Sequence, residues 1–116
     1  MAYELHVVRT ARWQDAAESP ITRDEVNALI DSDPELEWSP SGEGGEGNRN
    51  QLIGWRGASM RWERDQMVCA DPGAALIAKL IRIAQVLKAN VIGDNGEKYV
   101  LRRNMWGPER IHTVKP

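Results

Sequence analysis

His6, His112 and Cys69 are the side chains of this chain best suited to covalent or metal chemistry. A zinc centre asks for three or four ligands, commonly in close pairs. The histidines stand at opposite ends of the chain, and no cysteine or carboxylate is read at ligand spacing around either. Cys69 with a histidine would make a nucleophile and its base, but such a dyad needs an orienting third group, for which no residue is singled out. Within the apolar run Met67-Val68-Cys69 the thiol reads as a small buried hydrophobe. The stretch Gly42-Glu43-Gly44-Gly45-Glu46-Gly47 invites a phosphate-loop reading. It lacks the Lys-Ser/Thr ending and the helix start, and its two acids repel a phosphate. With 17 acidic residues many carboxylate pairs can be named for glycoside chemistry, and none is favoured. No catalytic residue, metal or cofactor is therefore expected, and the chain reads as a non-enzymatic protein that acts by contact.

Two constellations offer such contact. Asp31, Asp33, Glu35, Glu37, Glu43 and Glu46 cluster between positions 31 and 46. They form either a solvated face or a surface for a basic protein partner, whose arrival such a field accelerates. Trp55-Arg56 and Arg61-Trp62-Glu63-Arg64 interleave aromatic and basic residues on neighbouring predicted strands, and Arg102-Arg103 follow later. Aromatic platforms flanked by arginine are how sheet surfaces hold single-stranded nucleic acid. The structural alternative is that Trp62, alternating with Met60, belongs to the core, leaving Arg61 and Glu63 to face away.

The elements that position these residues come from periodicity. Tyr3, Leu5 and Val7 alternate as on a half-buried strand, and a polar connection from Thr10 to Pro20 follows, with Trp13 its only large apolar anchor. Thr22-Arg23-Asp24-Glu25 is a capping box with Ile21 and Val26 as its hydrophobic staple. The helix it starts ends at Asp33-Pro34. Strands are read at Glu35 to Trp38, Gln51 to Trp55, Ser59 to Glu63 and Met67 to Cys69, with residues 39–50 a Gly-rich flexible loop. A second helix is expected with Asp71 as N-cap and Pro72 at its first helical position. Leu76, Leu80, Ala84 and Leu87 fall on one face of it. Asp94-Asn95-Gly96 turns a hairpin between strands at Val91 and at Lys98 to Leu101, and Ile111 to Val114 adds an edge strand. This order predicts an α+β fold: an antiparallel or mixed sheet of about five to seven strands with two helices packed on one face.

The 116 residues suit a single domain spanning 1–116. The 41% hydrophobic and 28% charged content leaves enough apolar surface for a core without disulfides, which a lone cysteine forbids. No apolar run approaches the ~20 residues of a membrane span, so a cytoplasmic location is expected. The net charge of −2 divides unevenly. Residues 1–48 hold 11 acidic and 3 basic side chains, and residues 49–116 hold 6 and 12. Folding either separates these charges in space or interleaves them.

The motifs Met1-x-Tyr3-x-Leu5-His6-x-x-Arg9, Ile21-Thr22-x-x-Glu25, Asp33-Pro34-Glu35-Leu36, Ile83-Ala84 and Val91-x-Gly93-Asp94-x-Gly96-Glu97-x-Tyr99 resemble those of a group of small uncharacterised bacterial proteins. In size and acidity that group is similar to the immunity proteins that block bacterial toxins. The resemblance implies an immunity-like inhibitor that binds and neutralises a toxin or other basic effector, with the acidic segment as contact. A phage-encoded inhibitor of a host defence complex has the same physics. The other expectation is a nucleic-acid-binding module using Trp55, Arg56, Arg61, Arg64, Arg102 and Arg103.

Overall fold

The computed structural model describes residues 3–38, 50–63, 65–103, 107 and 109–115. The elements are β1 (Glu4–Val8), a 3-10 helix (Trp13–Glu18), α1 (Arg23–Ser32), β2 (Leu36–Trp38), β3 (Asn50–Trp55), β4 (Ala58–Glu63), β5 (Gln66–Ala70), α2 (Ala74–Leu87), β6 (Asn90–Gly93), β7 (Lys98–Arg103) and β8 (Glu109–Val114). All eight strands join one sheet in the order β2-β3-β4-β5-β1-β6-β7-β8. Every pairing is antiparallel. The α+β class with an antiparallel sheet is as expected. The strand number exceeds the expected five to seven, because the tail strand joins the seven strands read before it. The expected flexible loop 39–50 overlaps β3 at Asn50, and its remainder lies outside the described residues.

Alternation along β1 sorts the core. Leu5 and Val7 point to the face covered by α1 and α2, where they meet Ile53, Met60, Trp62, Met67, Cys69 and Val91 with the apolar stripes of both helices. Val8 points the other way, to a smaller cluster with Ala16, Ile92 and Trp13. The polar connection expected at Thr10 to Pro20 thus contains a 3-10 helix that covers the middle of the second face. Periodicity does not reveal it, since one tryptophan and one alanine carry its packing. Either side of this cover, the second face carries the charged residues described below.

Local chemistry explains the helix ends. Thr22 Oγ1 accepts from Glu25 N at 3.2 Å, and Glu25 Oε1 accepts from Thr22 N at 3.0 Å, completing the capping box. Ile21 and Val26 are fully buried beside it. The start of α2 differs from expectation: Gly73 is the N-cap and the first helical residue is Ala74. Asp71 instead adopts φ 45° and Oδ1 accepts from Tyr3 N at 2.9 Å, while its own N–H donates to Tyr3 O. It locks the end of β5 to the start of β1. The β6–β7 turn depends on glycine at two places. Gly96 sits at φ 84°, and Tyr3 and Glu97 lie so close over Gly93 that a Cβ there would overlap both side chains.

Candidate functional site

A polar cluster lies on the second face at the sheet's centre. His6 is buried, with its ring stacked on Trp13 at 4.3 Å between centroids and 5° between planes. Its Nδ1 lies 2.8 Å from Gln66 Oε1 and its Nε2 3.0 Å from Asp94 Oδ1. Asp94 also accepts from Glu4 N at 2.8 Å. That backbone donor and then His6 hold its carboxyl below the usual carboxylate range. Ligand atoms of Glu4, His6 and Asp94 lie within 4.8 Å of one another, a donor set that suits a divalent cation. In this arrangement both imidazole nitrogens are already hydrogen-bonded, and Arg61 donates to Glu4 Oε2 at 2.7 Å and to Glu63. The guanidinium occupies the positive-charge position beside Glu4.

The reading from the sequence, that no carboxylate stands at ligand spacing from either histidine, is corrected here. Glu4 lies two positions from His6, the interval that places both side chains on one strand face. Asp94 arrives through the β1–β6 pairing, in which Leu5 faces Gly93. Cys69 and His6 are on adjacent strands but opposite faces, the thiol among the core residues under the helices. Burial raises the Cys69 thiol to about 11, which keeps it protonated and weakly nucleophilic at neutral pH. His112 lies on edge strand β8, exposed.

The acidic constellation divides. Asp33 and Glu35 receive Lys79 from α2, at 2.6 and 3.0 Å. Glu35 also bonds Arg56, and Trp55 Nε1 donates to it at 3.3 Å. The Lys79 bond, followed by those of Arg56 and Trp55, lowers the Glu35 carboxyl to about 2. Lys79 likewise holds Asp33 low. Asp31, on the outer stripe of α1, and Glu37, on β2, are exposed with no cation partner among the described residues. Asp24 shares the stripe with Asp31, being seven residues, or two turns, earlier. Leu36 and Trp38 pack into the core, so Glu37 points to the sheet face opposite the helices. Glu43 and Glu46 lie outside the described residues.

The residues named for nucleic-acid contact do not assemble into one surface. Trp55 is buried in the core beneath the helices, as is Trp62, whose Nε1 donates to Ile21 O at 3.0 Å. Neither ring forms a stacking platform on the open face. Arg56 sits in the β3–β4 turn against Glu35 and over the Trp55 ring. Arg61 is engaged by Glu4 and Glu63. Arg102 and Arg103 belong to β7, four strands from β4, and Arg64 lies outside the described residues.

A groove of about 470 Å³ runs between α1 and the end of α2. Ala28, Leu29, Val86 and Leu87 give it an apolar floor, and the Arg9–Glu25 pair closes one end. Arg9 donates to Glu25 Oε1, to Pro20 O and to Leu87 O, so it ties β1 to both helices. Its hydrogen bond, with that of the Thr22 backbone, lowers the Glu25 carboxyl to about 2. No helix among the described residues is long and apolar enough to cross a membrane. Comparison with protein-family models, with curated proteins and with solved structures gives no match.

Proposed function

We propose that this protein is a non-enzymatic, immunity-like inhibitor that binds a basic protein through the acidic edge formed by α1 and β2. One observation supports this reading above the others: the strand order carries the charge asymmetry of the sequence into space. Residues 23–38, which form α1 and the edge strand β2, hold six carboxylates and one arginine. The strands β7 and β8 hold four basic residues and one acid, and they end the sheet at its other edge. Arg9, Arg56 and Lys79 offset three of the acids and leave the α1–β2 segment net negative.

The ion pairs at this edge also serve the proposed contact. Lys79 holds the Asp33-Pro34-Glu35 connection against α2, so Asp31 and Glu37 are presented from a fixed backbone. Preorganised groups lose less conformational freedom on binding. Rim charges of this kind act mainly on association rate and its salt dependence. The test captures the partner from bacterial lysate with the tagged full chain, then reconstitutes the purified pair. Charge reversal at Asp31 and Glu37 together is expected to slow association roughly tenfold or more at low salt. An association rate that is unchanged by the double reversal, or a captured partner with no basic surface, overturns the reading.

A further inference from the structure

The ribbon formed by β7 and β8 carries a charge arrangement that the fold itself does not call for. In its register Lys98 faces Val114, Val100 faces His112 and Arg102 faces Arg110. Residues directly opposite share a face, and Lys98 is also opposite Ile92, which packs under the 3-10 helix. This row therefore lies on the face away from α1 and α2. Lys98, Arg102, Arg110 and His112 are all exposed, and none of the six residues on this face of the ribbon is acidic. Among the described residues no carboxylate pairs with Arg102 or Arg110. Like charges directly opposite each other in a sheet are destabilising. Protection of an open edge against pairing accounts for a charge on β8, but not for Arg102, which sits on the inner strand.

We propose that this face of the ribbon binds the phosphate backbone of a nucleic acid. Phosphate oxygens placed between two guanidiniums turn their repulsion into paired, charge-assisted hydrogen bonds. β6 meets β7 at Tyr99 and Lys98, so Arg102 and Arg110 stand further along the ribbon than its paired stretch. A two-stranded ribbon has the width that a duplex major groove admits. The row has Val100 and Val114 as its apolar members and no exposed aromatic, which fits backbone contact and not base stacking. An acidic peptide added as a strand beside β8 fits less well. It would sit next to Arg110 and leave Arg102 one strand further in, and its alternate side chains would point away.

Fluorescence anisotropy of the full chain with a short DNA duplex at roughly 50 mM salt tests this, because the backbone contribution is largest there. Binding is expected, with a slope of log affinity against log salt of about −3, one counterion for each of Lys98, Arg102 and Arg110. Arg102→Gln with Arg110→Gln should lower affinity roughly tenfold or more and reduce the slope by about 2. Arg110→Glu separates recognition from folding: it should weaken binding yet raise the melting temperature, since it gives Arg102 an opposite charge. No binding at low salt, affinity indifferent to the double variant, or tighter binding of a poly-glutamate peptide than of the duplex overturns the proposal. A lower melting temperature for Arg110→Glu also overturns it, since the arginine pair would then be a structural feature.

Discussion

The two edges of the sheet treat surplus charge in opposite ways. At the β2 edge the carboxylates of Asp33 and Glu35 are met by Lys79 and Arg56, and the acids left over are spaced along α1 and β2. At the β8 edge Arg102 and Arg110 face each other across the ribbon, with no acid paired to either among the described residues. The acidic edge is tied into the body of the protein through a helix that also packs the core. The basic ribbon is held by strand pairing and by Leu101 and Ile111 on its other face. Charge that is answered within the chain serves the fold, whereas charge left opposed is available to something outside it.

Removing the tie is the most direct way to break this contrast. Lys79→Ala deprives Asp33 and Glu35 of their shared cation, whose stem is largely buried. A loss of about 1–2 kcal/mol is expected in denaturant unfolding, from packing as well as charge. An unchanged midpoint would mean that the acidic edge is held by something else.

Acid titration sharpens the same point. Arg9 first, and the Thr22 backbone second, lower Glu25 from 4.5 to about 2. A carboxyl whose folded pKa is depressed contributes stability above its unfolded value, and that contribution disappears as pH falls from about 4.5 towards 2. Because Glu25 is 38% exposed, solvent screening reduces the expected contribution to about 1 kcal/mol. Stability measured from pH 6 to 2 should therefore fall less steeply in Glu25→Gln than in the parent, an expectation on the order of a single charge pair. Equal slopes would remove Glu25 from the account.

The ribbon should respond with the opposite sign. Arg102→Thr removes the cross-strand repulsion and adds a good strand former, so stability should rise by about 0.2–1 kcal/mol. A loss in thermal or denaturant unfolding would show that Arg102 has an intramolecular role. The smallest effect concerns dynamics. Amides of β8, an edge strand, should exchange faster than those of β1, which is paired on both sides by β5 and β6. Equal protection, measured by hydrogen exchange, would deny the ribbon its looser attachment.

What could be read from the chain alone follows the range of the interactions. The capping box, the Asp94-Asn95-Gly96 turn, the stripe of α2 and the inward Trp62 are each settled within a few residues, and the structure has all of them. The site residues are different. Lys79 reaches Asp33 across 46 positions and His6 reaches Asp94 across 88. Such meetings depend on strand order, which no local pattern encodes. Glu4 beside His6 is the exception, since their spacing on a strand already implied a shared face. The separation of charge between edges was open for the same reason: β1, from the acidic half, lies at the centre, whereas β2, from the same half, lies at an edge.

β2 is three residues long, whereas β8 is six. A sheet with a negative border and a positive border attracts its own copies in file, each border meeting its opposite on the next molecule. Contacts of that kind are head-to-tail, and they run on as filaments wherever the rotation between copies does not close a ring. Among the described residues β2 offers such a stack three residues of backbone, and Glu37 in their middle sets a charge on that border.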